Sequence, residues 1–167
     1  MKKDTMKNTT VTVAPATVTI YDTLPNRLLT THFNLREFCI SATAIRHGID
    51  NTPPVEAERR LKTLCERVLE PLRHRFGVIR ITSGYRSERV NKLVGGSATS
   101  QHLLGEAADI HAGSEEVARK MYEFIKQNLD FDQLIMEYRP KTATRWIHVS
   151  YTMRHTCRHE AFHMRLK

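Results

Sequence analysis

His102 and Asp109 stand seven residues apart in Ser100-Gln101-His102-Leu103-Leu104-Gly105-Glu106-Ala107-Ala108-Asp109, with small residues packing the turn between them. An imidazole and a carboxylate are both good zinc ligands. His148, in Trp146-Ile147-His148-Val149-Ser150, supplies a third from a segment whose apolar neighbours hold it in a fixed direction. Two histidines and one carboxylate leave a fourth position for water, the catalytic rather than the structural pattern, so the expected cofactor is Zn2+ on His102, Asp109 and His148.

A second pattern competes. His159-Glu160-Ala161-Phe162-His163 matches H-E-x-x-H, which on a helix places two histidines one turn apart around a glutamate. Four residues follow it in this sequence, so no downstream third ligand is expected, and the segment is polar and basic. It reads as a frayed basic tail, with an adventitious metal site on His155, Cys157, His159 and His163 as the intermediate reading. His32, His47, His74 and His111 are isolated in sequence; His111 lies two residues beyond Asp109, on the strand face from which it could support a ligand.

The elements that must position these residues can be read from periodicity. Asn34 with Glu37 forms a capping-box variant opening a helix that runs to Gly48. Leu61, Leu64, Cys65, Val68, Leu69 and Leu72 recur at three- and four-residue steps, predicting one helix over residues 55–76, stopped by Gly77. A strand over 78–82, a helix over 88–94, a strand over 107–111 and a helix over 114–128 follow. A hairpin then joins 132–138 to 145–151 through Pro140-Lys141-Thr142. With no repeated βα unit, the fold class is α+β, a single domain with a small, mainly antiparallel sheet flanked by helices. Residues 1–30 are Thr-rich and read as a flexible arm, 31–152 as the metal-binding domain, and 153–167 as the basic, His-rich tail.

The chain has 167 residues, enough for one ordinary core, and a net charge of +8 that attracts anionic partners without choosing among them. No nucleic-acid motif is present, so no specific nucleic-acid partner is expected. Thr9 to Ile20 is too short and too rich in threonine for a membrane span, which needs roughly 18 residues, and lacks the leucine-rich core of a signal peptide. Three widely spaced cysteines, Cys39, Cys65 and Cys157, read as reduced.

The motif Ser100-x-His102-x-x-Gly105-x-Ala107-x-Asp109, together with Ser83-Gly84-Tyr85-Arg86-Ser87, Phe131-Asp132-Gln133-Leu134-Ile135 and Trp146-Ile147-His148-Val149-Ser150, resembles the zinc D-alanyl-D-alanine carboxypeptidases and dipeptidases. These share their fold with hedgehog domains and phage L-alanyl-D-glutamate endopeptidases. The resemblance runs from about Phe33 to Tyr151 and implies a hedgehog/DD-peptidase-like fold, zinc on the same three ligands, and peptidoglycan stem peptides as substrate. It further implies that Arg86 clamps a substrate carboxylate or the polarised carbonyl, a task that suits a planar, permanently charged guanidinium; without the motif, Arg86 reads as a surface ion pair with Glu88 or another carboxylate. Ser100 and Gln101 are expected to hydrogen-bond around the site.

One position departs from the family. The general base commonly lies three residues before the last zinc histidine, and here that residue is Arg145, which cannot accept a proton. A hairpin register pairing Ile135 with His148 also pairs Glu137 with Trp146, placing Glu137 diagonally beside His148 at about 7–8 Å. Glu137 is therefore the expected base, with Glu106 as the weaker alternative. The reading is a zinc peptidase, carboxypeptidase or endopeptidase, acting as a monomer on cell-wall peptides containing D-amino acids. Its competitors are a zinc-containing wall-peptide or protein-binding module that has lost its base, and a nucleic-acid-associated protein suggested by charge alone. Without a signal segment, synthesis is expected in the cytoplasm and action at the wall after lysis or non-standard export.

Overall fold

The computed structural model describes residues 23–166. Five strands, β1 (Ile81–Ser83), β2 (Ala107–His111), β3 (Gln133–Arg139), β4 (Thr144–Ser150) and β5 (Glu160–Arg165), form one sheet in the order β1-β2-β4-β3-β5. All neighbours are antiparallel except β3 and β5, which run parallel. The α+β class with a mainly antiparallel sheet flanked by helices is thus the observed one.

Strand alternation sorts the sheet into two faces. Ala108, Ile110, Leu134, Ile147 and Val149 are fully buried on one face, in the same apolar cluster as Ala118, Met121, Tyr122 and Ile125 of the helix Glu115–Asn128. Asp109, His148, Ile135 and Glu137 belong to the opposite face and line an open cleft. The register is the one anticipated for the hairpin: Ile135 opposes His148 and Glu137 opposes Trp146, while Asp109 opposes His148 from the other side.

Local chemistry explains where helices depart from their expected extents. The Asn34 capping box forms, with the Asn34 N–H donating to Glu37 Oε1 at 2.7 Å. The helix it opens, α1 (Leu35–Cys39), ends at Ile40, because Ser41 caps a new helix, α2 (Ala42–Arg46), by accepting from the Ala44 N–H. The long amphipathic helix is continuous but not uniform: α3 (Val55–Leu64) passes through a π turn at Cys65–Leu69 into α4 (Glu70–Phe76). Pro71 in the first turn of α4 has no N–H to donate and its ring crowds the preceding turn, and a widened turn accommodates both defects. α5 (Glu88–Leu93) and α6 (Glu115–Asn128) match their expected positions closely. The first strand begins later than expected, since Val78 is exposed and only Ile81 and Ser83 pair with β2.

Both chain ends correct the sequence reading. Within the expected arm, residues 1–22 lie outside the described residues, whereas Leu24 and Leu29 are buried in the main core and the Leu28–Asn34 bridge closes a turn that contains Leu29. At the other end, the expected frayed tail contains β5, paired in register from Gln133–Glu160 to Tyr138–Arg165. Glu160 to His163 lie in extended β5, and His159, with a φ of +54°, stands outside it, so the two histidines are not one helical turn apart. His159 pairs with Asp130 at 2.8 Å, while His163 packs edge-on against Tyr122, and no H-E-x-x-H metal geometry exists.

Ile147, fully buried beneath the cleft between Trp146 and His148, tests this packing. Ile147→Ala is expected to cost about 2–5 kcal/mol and Ile147→Val about 0.5–1.5 kcal/mol, read by urea denaturation. Equal, negligible losses would mean that this face is not core.

Candidate metal centre and cleft

Asp109 and His148 face each other across β2 and β4, and His102 reaches the same point from the 3-10 turn Gln101–Leu104. His148 Nδ1 lies 3.0 Å from Asp109 Oδ1, His102 Nε2 lies 3.2 Å from the same oxygen, and the two nitrogens are 3.2 Å apart. All three side chains are buried. The loop between His102 and Asp109 turns at Gly105, whose φ of +71° places it in the left-handed region. A Cβ there would sit 2.3 Å from the Ala57 carbonyl oxygen, so only glycine allows the loop to rest on α3.

The donor set suits a divalent cation. His102 Nδ1 donates to the Gly84 carbonyl at 2.6 Å, which leaves Nε2 as the unprotonated nitrogen. Burial lowers the His102 pKa, outweighing the pull of Asp109, so the ring is neutral near pH 7. A neutral lone pair aimed at a carboxylate oxygen at 3.2 Å is unfavourable unless a cation stands between them. The carboxylate is itself ionised: burial opposes this, but the imidazoles of His102 and His148 that face it hold Asp109 well below the usual carboxylate range.

Arg86 completes the match to Asp109. Its Nη2 donates to Asp109 Oδ2 at 2.6 Å and its Nε to Ser83 Oγ at 2.8 Å, and the side chain lines the cleft. The carboxylate that Arg86 pairs with is thus the buried Asp109 and not Glu88. Gly84, which accepts from His102, lies so close to α1 that a Cβ would stand 2.6 Å from the Phe38 Cα. The Ser-Gly-Tyr-Arg segment thus holds both His102 and Asp109 from β1.

Glu137 is half-buried on the cleft face of β3, directly opposite Trp146 of β4, which lines the same cleft. Burial raises its pKa, and the nearby Asp109 charge raises it further. Arg145 belongs to the opposite face, where it pairs with Glu115 at 2.8 Å and stacks over Tyr138 at 4.3 Å. Glu106 is 1% exposed and bound by both Nε and Nη2 of Arg154, each at 2.8 Å, and by the Thr152 hydroxyl at 3.0 Å. It is engaged away from the metal ligands and does not serve as the alternative base. His111, expected beside the ligands, is exposed at the end of β2.

Ser100 and Gln101 both line the cleft, and Gln101 also donates to Asp132 Oδ2 at 3.0 Å. Asp132 is a structural residue that the sequence reading passed over. It is fully buried, and accepts from Arg158 through its backbone N–H at 3.0 Å and its Nη2 at 2.8 Å. The chain after β4 is therefore fastened against the metal-bearing turn by Asp132–Arg158 and Glu106–Arg154. Its signal in the sequence is the pair Arg154 and Arg158, in a segment that otherwise reads as a tail. The resulting cleft has a volume of about 830 Å³, with Arg139 and Met164 on its walls.

Two imidazoles and a carboxylate at the floor of an open cleft form the donor set of a hydrolytic rather than a structural metal centre. The family description Peptidase M15 matches residues 31–150, and the chain belongs to that family. A stretch of 49 residues is 43% identical to a zinc D-Ala-D-Ala carboxypeptidase of Streptomyces albus G, covering 28% of this chain and 19% of that relative. Among the described residues, no helix is long and apolar enough to cross a membrane.

Asp132 carries a pH prediction. Burial raises its pKa, but the Arg158 and Gln101 hydrogen bonds outweigh burial and leave it below the ordinary 3.8. The unfolded chain then binds the proton first, so this contribution to stability is present above that value and is lost as pH falls through the folded pKa. The urea midpoint of the wild type is expected to fall more steeply below about pH 4 than that of Asp132→Asn. Parallel pH profiles would remove Asp132 as an acid-sensitive clasp.

Proposed function

We propose that this protein is a zinc-dependent peptidase that hydrolyses bacterial cell-wall peptides containing D-amino acids, as a carboxypeptidase or an endopeptidase. The observation that carries the reading is the convergence of His102 Nε2, Asp109 Oδ1 and His148 Nδ1 on the cleft floor, on the same sheet face as Glu137. His102, Asp109 and His148 would hold the zinc, which when bound supplies Lewis acidity to a scissile carbonyl and makes a water acidic near pH 7.

Glu137 takes the proton from the attacking water and returns it to the leaving amine. Its raised pKa suits both roles, because a more basic carboxylate accepts a proton more readily and still releases it. Trp146, directly opposite on β4, flanks the carboxylate on the cleft face. Arg86 holds Asp109 in place with part of its guanidinium and offers its remaining N–H groups to a substrate carboxylate or carbonyl oxygen. Ser100 lines the binding surface, and Gln101 orders it through Asp132. The +8 net charge favours association with anionic wall polymer, the site of action on this reading.

Mass spectrometry of purified muropeptides incubated with zinc-loaded protein tests the assignment. Loss of a terminal alanine identifies a carboxypeptidase, and a cut within the stem or cross-bridge an endopeptidase. His102→Ala and chelation should both abolish cleavage. Glu137→Gln should retain zinc but lose about 10²–10⁴-fold in kcat. Full activity in Glu137→Gln would move the base elsewhere, and zinc binding without turnover in the wild type would identify a binding module.

A further inference from the structure

A second group of ligand-type side chains meets outside the cleft, from residues that look isolated in the sequence. Glu70 and His74 lie one turn apart on α4, and His32 sits in the turn closed by the Leu28–Asn34 bridge and by the Leu29 and Thr30 N–H groups donating to the Phe33 carbonyl. Glu70 Oε1 accepts the backbone N–H of His32 at 2.9 Å, which fixes the carboxylate. Its other oxygen then faces His32 Nδ1 at 2.7 Å and His74 Nε2 at 3.9 Å. One ligand atom from each of the three residues lies within 4.8 Å of the other two, as is also so of His102, Asp109 and His148.

We propose that His32, Glu70 and His74 form a second divalent transition-metal site, which takes zinc and ties the 28–34 turn to α4. Two imidazole nitrogens and one carboxylate oxygen suit a borderline d-block ion and not Ca2+ or Mg2+, which require mostly oxygen ligands. The Glu70–His32 backbone bond plays the part of the outer hydrogen bond that orients ligands in established sites. Glu70 is ionised: burial raises its pKa, but hydrogen bonds from the 28–34 turn prevail and lower it. His74 is 72% exposed at its side chain, so it can rotate onto an ion while water fills the remaining positions. The consequence is structural, because Leu29 and Phe33 beside His32 are part of the main core. An ion here stabilises the docked turn by mass action, whether or not the cleft hydrolyses peptides.

The test uses the full chain with the cleft ligands removed by His102→Ala and Asp109→Ala, stripped of metal and titrated with Zn2+ by calorimetry. One equivalent is expected to bind with micromolar affinity or better and to raise Tm. Adding His74→Ala or His32→Ala should weaken that binding at least tenfold and abolish the Tm rise. Binding only at millimolar zinc would mark an adventitious ion and overturn the proposal. Affinity unchanged by either added substitution would do the same, by placing the ion elsewhere. Should the background variant fail to fold, the cleft-intact protein supplies the readout: zinc stoichiometry is expected to fall from two to one on His74→Ala, and a stoichiometry of one in both proteins would refute the second site.

Discussion

A carboxylate can be buried under a sheet surface only if both of its oxygens find donors or cations, and Asp109 sets that demand on its surroundings. One oxygen is matched by Arg86 at 2.6 Å and the other faces the two imidazoles. Meeting the first requirement brings the Ser83–Arg86 segment against β2, and that segment in turn supplies the carbonyl that sets the His102 tautomer. The glycine at 84 follows from the same constraint, since the backbone must pass α1 with no room for a side chain. A single buried charge thus accounts for the chemistry of three separate stretches of chain.

The hairpin supplies the remaining geometry through parity. In a regular strand, residues an odd number apart point to opposite faces, so position 145, three before His148, is directed away from the cleft. Arg145 is well used there, against Glu115 and Tyr138. Glu137, diagonal to His148 across the β3–β4 ladder, is on the face that position 145 cannot reach. The absence of a carboxylate at 145 is therefore not by itself a sign of a lost reaction.

The chain after β4 acts as a wall rather than an appendage. Asp132 and Glu106, both essentially inaccessible, are each gripped by an arginine from this segment, and the parallel strand β5 extends the sheet beside Glu137. Such paired buried carboxylates cost a great deal if one partner is removed, which links the integrity of the cleft wall to the order of the chain terminus.

The strands β1 to β4, the Asn34-capped start of α1 and the hairpin register were legible because they depend on local signals: period-two alternation, a side-chain cap and a proline-containing turn. So was the convergence of His102, Asp109 and His148, whose residue types are those that ligand chemistry favours, and the place of Glu137 on their face of the sheet, which follows from the register. The π turn at Pro71 and the restart at Ser41 were present as single residues inside an otherwise helical pattern, and periodicity alone outweighed them. Long-range pairing was not legible. That Arg158 would neutralise Asp132, that residues 160–165 would join the sheet in parallel, and that His32 would meet Glu70 and His74 all depend on contacts between segments distant in sequence. Such contacts leave no periodic trace, because each partner alone looks like an ordinary solvated polar residue. Only the packed core, by bringing those segments together and excluding water from between them, decides which of these polar residues must find one another.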